Sequence, residues 1–110
     1  MTINEVRGRL AAWQESLGLG AWKIKVAWGS CADAHGSVAF DVFHRTASVT
    51  LNRPPFLKRH GVTVEYVLVH ELLHLVLVEI ELVEKAKPEQ KEMALERVVN
   101  QLTNALIGDK

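Results

Sequence analysis

The chain has 110 residues, of which 48% are hydrophobic and 24% are charged; this composition is typical of a globular protein and excludes a disordered or fibrous one. Thirteen Lys and Arg balance thirteen Asp and Glu, so no net charge attracts the chain to nucleic acid or to an anionic membrane. We therefore expect one domain, residues 1–110, with a single modest core.

The sequence also predicts a cytoplasmic location. Cys31 is the only cysteine, which excludes an intrachain disulfide and leaves a thiol that favours a reducing compartment. The first residues, MTINEVRGRLAAWQ, carry charges throughout and lack the apolar core of a signal peptide. The apolar run at residues 68–78 is too short, and too interrupted by polar residues, to span a bilayer.

The N-terminal part predicts a helix followed by a strand. Apolar residues recur at three-to-four spacing over residues 2–17, with Thr2 or Asn4 as a cap and Gly18 as a stop. The segment AWKIKVAWG, residues 21–29, alternates apolar residues with lysines, which is the pattern of a half-buried strand. The turn-like segment SCADAHGS, residues 30–37, then interrupts the regular structure.

Two more strands are predicted in the middle of the chain. The segments SVAFDVFH, residues 37–44, and ASVTLN, residues 47–52, are rich in Val, Phe and Thr and are separated by a short polar link. They most simply form a hairpin. Pro54 and Pro55 end the sheet because proline cannot donate to a ladder, and a link through Gly61 leads to the next element.

The segment VEYVLVHELLHLVLVEI, residues 64–80, is the most apolar part of the chain. A strand of this length would exceed the common range, so the segment predicts a helix, with Thr63 as its cap. Because it is apolar on all sides, we expect it to be the central, buried helix. Pro88 then favours the start of a last helix that runs to Ile107.

Together these elements predict an α+β fold. It consists of an N-terminal helix, a three-stranded, mostly antiparallel sheet, the buried helix and a C-terminal helix.

Three titratable residues, His70, Glu71 and His74, lie in the middle of the apolar helix. Residues four apart share one face of a helix, so the two imidazoles can bind one metal ion. Glu71 is offset by about 100° around the helix, where it can accept a proton without being a ligand. The spacing His-Glu-x-x-His therefore predicts two zinc ligands and a general base. The alternative is a set of core residues with matched hydrogen-bond partners, since unpartnered polar groups are costly to bury.

A third zinc ligand is expected from the last helix. No histidine follows His74, and the chain has no second cysteine, so a carboxylate is the natural candidate. The apolar stripe of the last helix is formed by Leu95, Val99, Leu102 and Leu106. On an ideal helix Glu92 lies nearer the centre of this stripe than Glu96 does. Both glutamates stay open on this argument.

The sequence VLVHELLHLVL, residues 67–77, followed by LERVVNQLTNAL, residues 95–106, resembles the gluzincin group of zinc metallopeptidases. It is most similar to minimal gluzincins and to the short metallopeptidase-like proteins encoded by phages and prophages, which implies a small zincin-like domain. The resemblance implies a glutamate ligand on the helix after the motif. The run Glu96-Arg97-Val98-Val99-Asn100 is similar to the pattern in gluzincins that cleave immunity repressors, which favours Glu96 over Glu92 as the third ligand.

The chain also departs from related families. SprT-like proteins use a third histidine and often a cysteine-rich zinc ribbon, and this chain has neither after its motif. Thermolysin-like enzymes add a helical domain for which 110 residues leave no room. We therefore expect a shallow substrate cleft, built at the sheet edge from residues 37–52, which would hold an extended peptide by strand addition.

The resemblance implies a zinc-dependent endopeptidase that acts on a protein or peptide. Zinc would lower the pKa of its bound water, and Glu71 would be the general base. The residues that could donate a hydrogen bond to the developing oxyanion are His35, His44, Arg45, His60 and Tyr66. The alternative function is a non-catalytic, zinc-stabilised binding or adaptor module. A weaker third alternative is a DNA contact through the basic segment 45–59.

Overall fold

The computed structural model describes residues 1–31 and 34–84, together with Glu96 and Val99. Its elements follow the chain as helix α1 (Ile3–Ser16), strands β1 (Lys23–Trp28), β2 (Gly36–Asp41) and β3 (Thr46–Leu51), and helices α2 (Pro54–Arg59) and α3 (Val64–Glu84). The predicted α+β class is confirmed. The predicted last helix, residues 88–107, lies outside the described residues except for Glu96 and Val99, which are helical.

Helix α1 begins at a capping box. The side chain of Thr2 accepts a hydrogen bond from the Glu5 N–H at 3.2 Å, and the Glu5 carboxylate accepts one from the Thr2 N–H at 3.1 Å. Two of the free N–H groups at the helix start are thereby satisfied. The cap is therefore Thr2 rather than Asn4. Val6 and Leu10 are the buried residues of this helix.

The three strands form a mixed sheet in the order β1-β3-β2. The predicted hairpin is confirmed, since β2 and β3 pair antiparallel, but β1 pairs parallel with β3. The prediction of a mostly antiparallel sheet is therefore wrong. The strand order follows from the burial of β3, whose residues Ala47, Val49 and Leu51 are all buried. This apolar strand takes the central position between β1 and the exposed strand β2.

Helix α2 was not predicted from the sequence. Pro54 and Pro55 do follow the end of the sheet, but they occupy the first turn of a helix. Backbone N–H groups in the first turn have no partner within the helix, so proline, which lacks this group, is tolerated there. Leu57 is buried from this helix, and Gly61, with a φ of 69°, turns the chain after it. This positive φ favours glycine.

Helix α3 is longer than predicted and is buried on one side. Its inner side contributes Val67, Leu68, Leu72, Leu75 and Val76 to the core. Its outer side leaves Leu73 and Leu77 exposed, so the expectation of burial on all sides is wrong. The helix packs against α1, β2 and β3, and this makes it the element around which the described core is organised.

Within the described ranges, no helix is long and apolar enough to cross a membrane.

Candidate metal centre and cleft

His70, Glu71 and His74 lie together on α3. Their ligand atoms, one from each side chain, are all within 4.8 Å of one another, and the centroids of the two imidazole rings are 5.2 Å apart. This is the arrangement that the helical spacing predicts for two ligands and a neighbouring carboxylate. The helix begins with the Tyr66 N–H donating to the Thr63 hydroxyl at 3.1 Å, which confirms Thr63 as the capping residue.

The three residues differ in burial. Glu71 is only 6% exposed, whereas His70 and His74 are both exposed. Glu71 follows His70 by one position, and the rotation of about 100° per residue directs it toward β2 rather than toward solvent. The result is a carboxylate in an apolar setting beside two accessible imidazoles.

No hydrogen bond or ion pair with a described residue engages the side chains of these three residues. The imidazole ring of His70 instead contacts the rings of His74 and Tyr66. The alternative of satisfied core residues requires matched hydrogen-bond partners for the buried carboxylate of Glu71. The described part of the chain supplies none.

Strand β2 begins directly against the candidate site. A Cβ atom on Gly36 would lie 2.8 Å from Val67 Cγ1, 2.9 Å from the Thr50 carbonyl oxygen and 3.5 Å from Glu71 Cγ. The first two distances are shorter than any real Cβ contact, so only glycine allows the strand to approach α3 this closely. Gly36 thereby forms the wall that buries Glu71.

Two clefts meet at this point. The first, of about 530 Å³, is lined by the segments 34–36 and 61–63 and by Tyr66. The second, of about 520 Å³, follows β2 past Phe40 and Leu77 on α3. Both are also lined by Gly36, His70 and Glu71, so the carboxylate lies where one cleft continues into the other.

Strand β2 is an edge strand in the described part of the sheet. The Asn52 N–H donates to the His35 carbonyl at 2.9 Å, which makes this a hydrogen-bonded pair of the antiparallel ladder. Such pairs recur at every second residue, so the backbone groups of Gly36, Val38 and Phe40 point away from β3. These groups border the second cleft and are available to another strand.

The remaining predicted site residues are distributed as follows. Glu96 is helical and exposed, and its role as third ligand stays a prediction; Glu92 lies outside the described residues. Of the predicted oxyanion donors, His35 and Tyr66 line the first cleft, and His60 contacts His35 with their ring nitrogens 3.3 Å apart.

Two of the predicted donors lie elsewhere. His44 and Arg45 belong to the turn between β2 and β3, and neither lines a cleft that contains Glu71. His44 pairs with Asp41 at 2.7 Å, and Arg45 pairs with Glu79 at 3.5 Å. The hydrogen bonds from His44 hold the pKa of Asp41 below its ordinary value. These two side chains are engaged in the turn rather than at the candidate site.

Sequence reasoning missed Gly36 and Asn52. Asn52 is buried, and its side-chain amide donates to the Ala34 carbonyl at 3.1 Å while its carbonyl accepts from the Arg53 N–H at 2.9 Å. It therefore ties the segment before β2 to the end of β3. A glycine at the start of a strand and an asparagine at the end of another are weak signals, because both are also common in simple turns.

Comparisons with known proteins identified no relative of this chain. No family model, curated protein or solved structure matched it. The resemblance to gluzincins therefore stays a prediction, which depends on the motif and its surroundings.

Proposed function

We propose that this protein is a zinc-dependent metallopeptidase in which His70 and His74 bind the ion and Glu71 is the general base. The observation that carries the proposal is the buried carboxylate of Glu71, which has no partner among the described residues and lies beside two accessible imidazoles. A buried carboxylate without a hydrogen-bond or charge partner is unfavourable. A nearby cation would offset that cost, and so would a ligand that donates a hydrogen bond to the carboxylate.

The donor set fits zinc. Imidazole nitrogen and carboxylate oxygen are ordinary zinc ligands, and a catalytic site keeps three protein ligands and one open position. Two of the three would be His70 and His74; Glu96 is the third on the strength of its similarity to gluzincin sequences. Bound zinc would lower the pKa of a coordinated water to about 7 and would polarise a carbonyl group.

Glu71 has the position and the surroundings of a general base. It accepts a proton from the attacking water and then passes that proton to the amide nitrogen, which leaves as an amine. The wall formed by Gly36 and Val67 limits the access of solvent to the carboxylate. The same wall keeps the proton acceptor next to the cleft in which the peptide bond would lie.

Strand β2 would hold the substrate. An extended peptide can pair with the free backbone groups of Gly36, Val38 and Phe40, as peptides do at other exposed sheet edges. This pairing brings a peptide carbonyl to the junction of the two clefts, since Gly36 and Glu71 line both. The proposed substrate is therefore an extended segment of a protein or peptide.

Metal analysis combined with peptide hydrolysis tests the role of Glu71. We expect about one zinc per chain both in the parent and in Glu71→Gln, because Glu71 is not a ligand. Hydrolysis of an unstructured protein substrate should fall by about 10²–10⁴-fold in Glu71→Gln. Glu15→Gln makes the same charge change at an exposed position on α1 and should leave both quantities unchanged.

Two results would contradict the proposal in different ways. A Glu71→Gln variant that hydrolyses substrate as fast as the parent shows that Glu71 is not the base. A parent that binds one zinc but hydrolyses nothing supports the alternative, a zinc-stabilised binding or adaptor module.

The third ligand is tested by three alanine variants. We expect zinc to be lost in His74→Ala and Glu96→Ala and to be retained in Glu92→Ala, because only the first two remove a proposed ligand. Zinc content measured on the purified variants decides between the glutamates. If Glu92 is essential and Glu96 is dispensable, the position on the helix predicts the ligand correctly and the sequence similarity does not.

A further inference from the structure

We infer that His35 donates the hydrogen bond that stabilises the developing charge on the substrate carbonyl oxygen, and that His60 positions it. This inference depends on the proposed peptidase function. It assigns a catalytic role to a residue outside the motif, on the segment that precedes β2, and a positioning role to a residue that follows α2.

His35 is held within the cleft that contains Glu71. It is half-buried and lines the first cleft together with His70 and Glu71. Its Nε2 lies 3.3 Å from His60 Nδ1, and its ring meets Phe56 edge to face with centroids 6.4 Å apart. A donor aimed at an oxyanion is most effective when its position is fixed before the substrate arrives.

The partners of His35 are themselves fixed. The ring of His60 stacks on Phe56 with centroids 4.1 Å apart, and the His60 N–H donates to the carbonyl groups that end α2. Asn52 holds the segment that carries His35 from the other side. Its backbone N–H donates to the His35 carbonyl, and its side-chain amide donates to the Ala34 carbonyl. Two chain segments thus converge on one imidazole.

The inferred role requires one of the two donor directions that the 3.3 Å contact with His60 allows. When His60 Nδ1–H donates to His35 Nε2, the proton of a neutral His35 is carried by Nδ1. That nitrogen is then a hydrogen-bond donor with no partner among the described residues. The imidazole donates a hydrogen bond to the carbonyl oxygen as that oxygen gains charge, and it takes part in no covalent or redox step.

Tyr66 is the competing donor, and its surroundings favour His35. Tyr66 also lines the first cleft, but it is 64% exposed and its ring stacks on that of His70 with centroids 6.4 Å apart. An exposed hydroxyl must lose conformational freedom when it binds the oxyanion. His35 has already lost that freedom.

Ring nitrogen NMR tests the tautomer without any dependence on activity. The protein is labelled with ¹⁵N at histidine and studied as purified with zinc added. We expect His35 to be protonated at Nδ1 and unprotonated at Nε2, and its ring signals should change in His60→Phe, which keeps the stack on Phe56 but removes the nitrogens. A His35 protonated at Nε2 alone, or one unaffected by His60→Phe, overturns the inference.

Steady-state hydrolysis tests the catalytic role. His35→Ala should lower kcat by about 10²–10³-fold with a smaller change in KM and unchanged zinc content. His60→Phe should give a partial loss of kcat, and His60→Asn, whose amide can replace the Nδ1 group, should restore much of it. His44→Ala is the matched control, since that histidine lies in the β2–β3 turn away from both clefts.

The outcomes separate this inference from the proposed function. If Glu71→Gln is inactive but His35→Ala keeps its kcat within about twofold of the parent, the inference fails and the proposed function stands. The same conclusion follows if Tyr66→Phe, rather than His35→Ala, lowers kcat. If the parent and Glu71→Gln are equally inactive, the proposed function fails and the role of His35 fails with it.

Discussion

At the scale of single residues, the candidate site depends on the contrast between Glu71 and its two neighbours. In the proposed mechanism the general base lies next to the cleft and is shielded from bulk solvent, and Glu71 is buried. Metal ligands instead need access to solvent, from which the ion arrives. One rotation of about 100° along the helix meets both needs, because it buries Glu71 against β2 and leaves His70 and His74 exposed.

Gly36→Ala should destabilise the protein and disturb Glu71. The added methyl group would meet the Thr50 carbonyl oxygen, which belongs to the backbone of the central strand and cannot move aside cheaply. We expect the free energy of unfolding to fall by about 1–3 kcal/mol, as measured by urea denaturation. In Gly20→Ala the new methyl group has open space, and the change should stay within about 0.5 kcal/mol.

Equal stability of the two glycine variants would show that β2 can shift away from α3 without cost. A loss of hydrolysis in Gly36→Ala with unchanged stability would instead indicate that the methyl group enters the cleft. The two measurements therefore separate packing from function.

Spacing predicted the motif residues, but not the residues that surround them. His70, Glu71 and His74 are neighbours along one helix, so their proximity follows from helical geometry alone. Gly36, Asn52 and the approach of His35 depend on where the sheet meets α3. Such long-range placement is determined by packing, which no local pattern in the sequence encodes.

At the scale of elements, two carboxylates connect α3 to the rest of the domain. The Trp13 Nε1–H of α1 donates to Glu65 at 3.1 Å, and Arg9 pairs with the same carboxylate. Farther along α3, the Trp22 Nε1–H donates to Glu79 at 3.1 Å. These contacts lie toward both ends of α3 and fix its position relative to α1 and to the segment that precedes β1.

Glu65 makes the stability of this connection dependent on pH. The hydrogen bonds from Arg9 and then Trp13 hold the pKa of Glu65 below its ordinary value of 4.5. A carboxyl group with a lowered folded pKa stabilises the protein above its unfolded pKa, and this contribution is lost as the pH falls through the folded value. The contribution should therefore be complete at neutral pH, begin to fall near pH 4.5 and disappear once the pH lies below the folded pKa.

Glu65→Gln tests this connection. We expect a loss of up to about 1 kcal/mol at pH 7, because the carboxylate is partly exposed and screened by solvent, and a smaller loss near pH 3. Urea denaturation at both pH values measures the difference, and Glu15→Gln controls for the removal of a carboxylate from an exposed site. A Glu65→Gln variant whose deficit is as large at pH 3 as at pH 7 would rule out the ionised carboxylate as the cause.

Elements with strong periodicity were predicted correctly, and those determined by competition between elements were not. Helix α1, the hairpin and the start of α3 at Val64 follow from caps, alternation and spacing. The parallel pairing of β1 with β3 does not, because it depends on which strand is buried most. Helix α2 was missed because Pro54 and Pro55 are compatible both with the end of a sheet and with the first turn of a helix.

At the scale of the whole molecule, α3 links the candidate site to global stability. Its inner side packs on α1, β2 and β3, while its outer side carries His70 and His74. A ligand that binds both histidines must hold at least one full turn of α3 in its helical form. Unfolding of the core would then require release of that ligand.

Zinc should therefore raise the melting temperature of the parent. A ligand at about 100 times its Kd stabilises the folded state by about 2.7 kcal/mol, which for a domain of this size corresponds to an increase of about 10 °C. Differential scanning calorimetry with and without zinc should give this increase in the parent and in Glu71→Gln, but not in His74→Ala, which lacks one of the two imidazoles. An equal increase in His74→Ala would mean that zinc binds elsewhere on the chain. An increase that vanishes in Glu71→Gln would make Glu71 a ligand and would remove it from the role of general base.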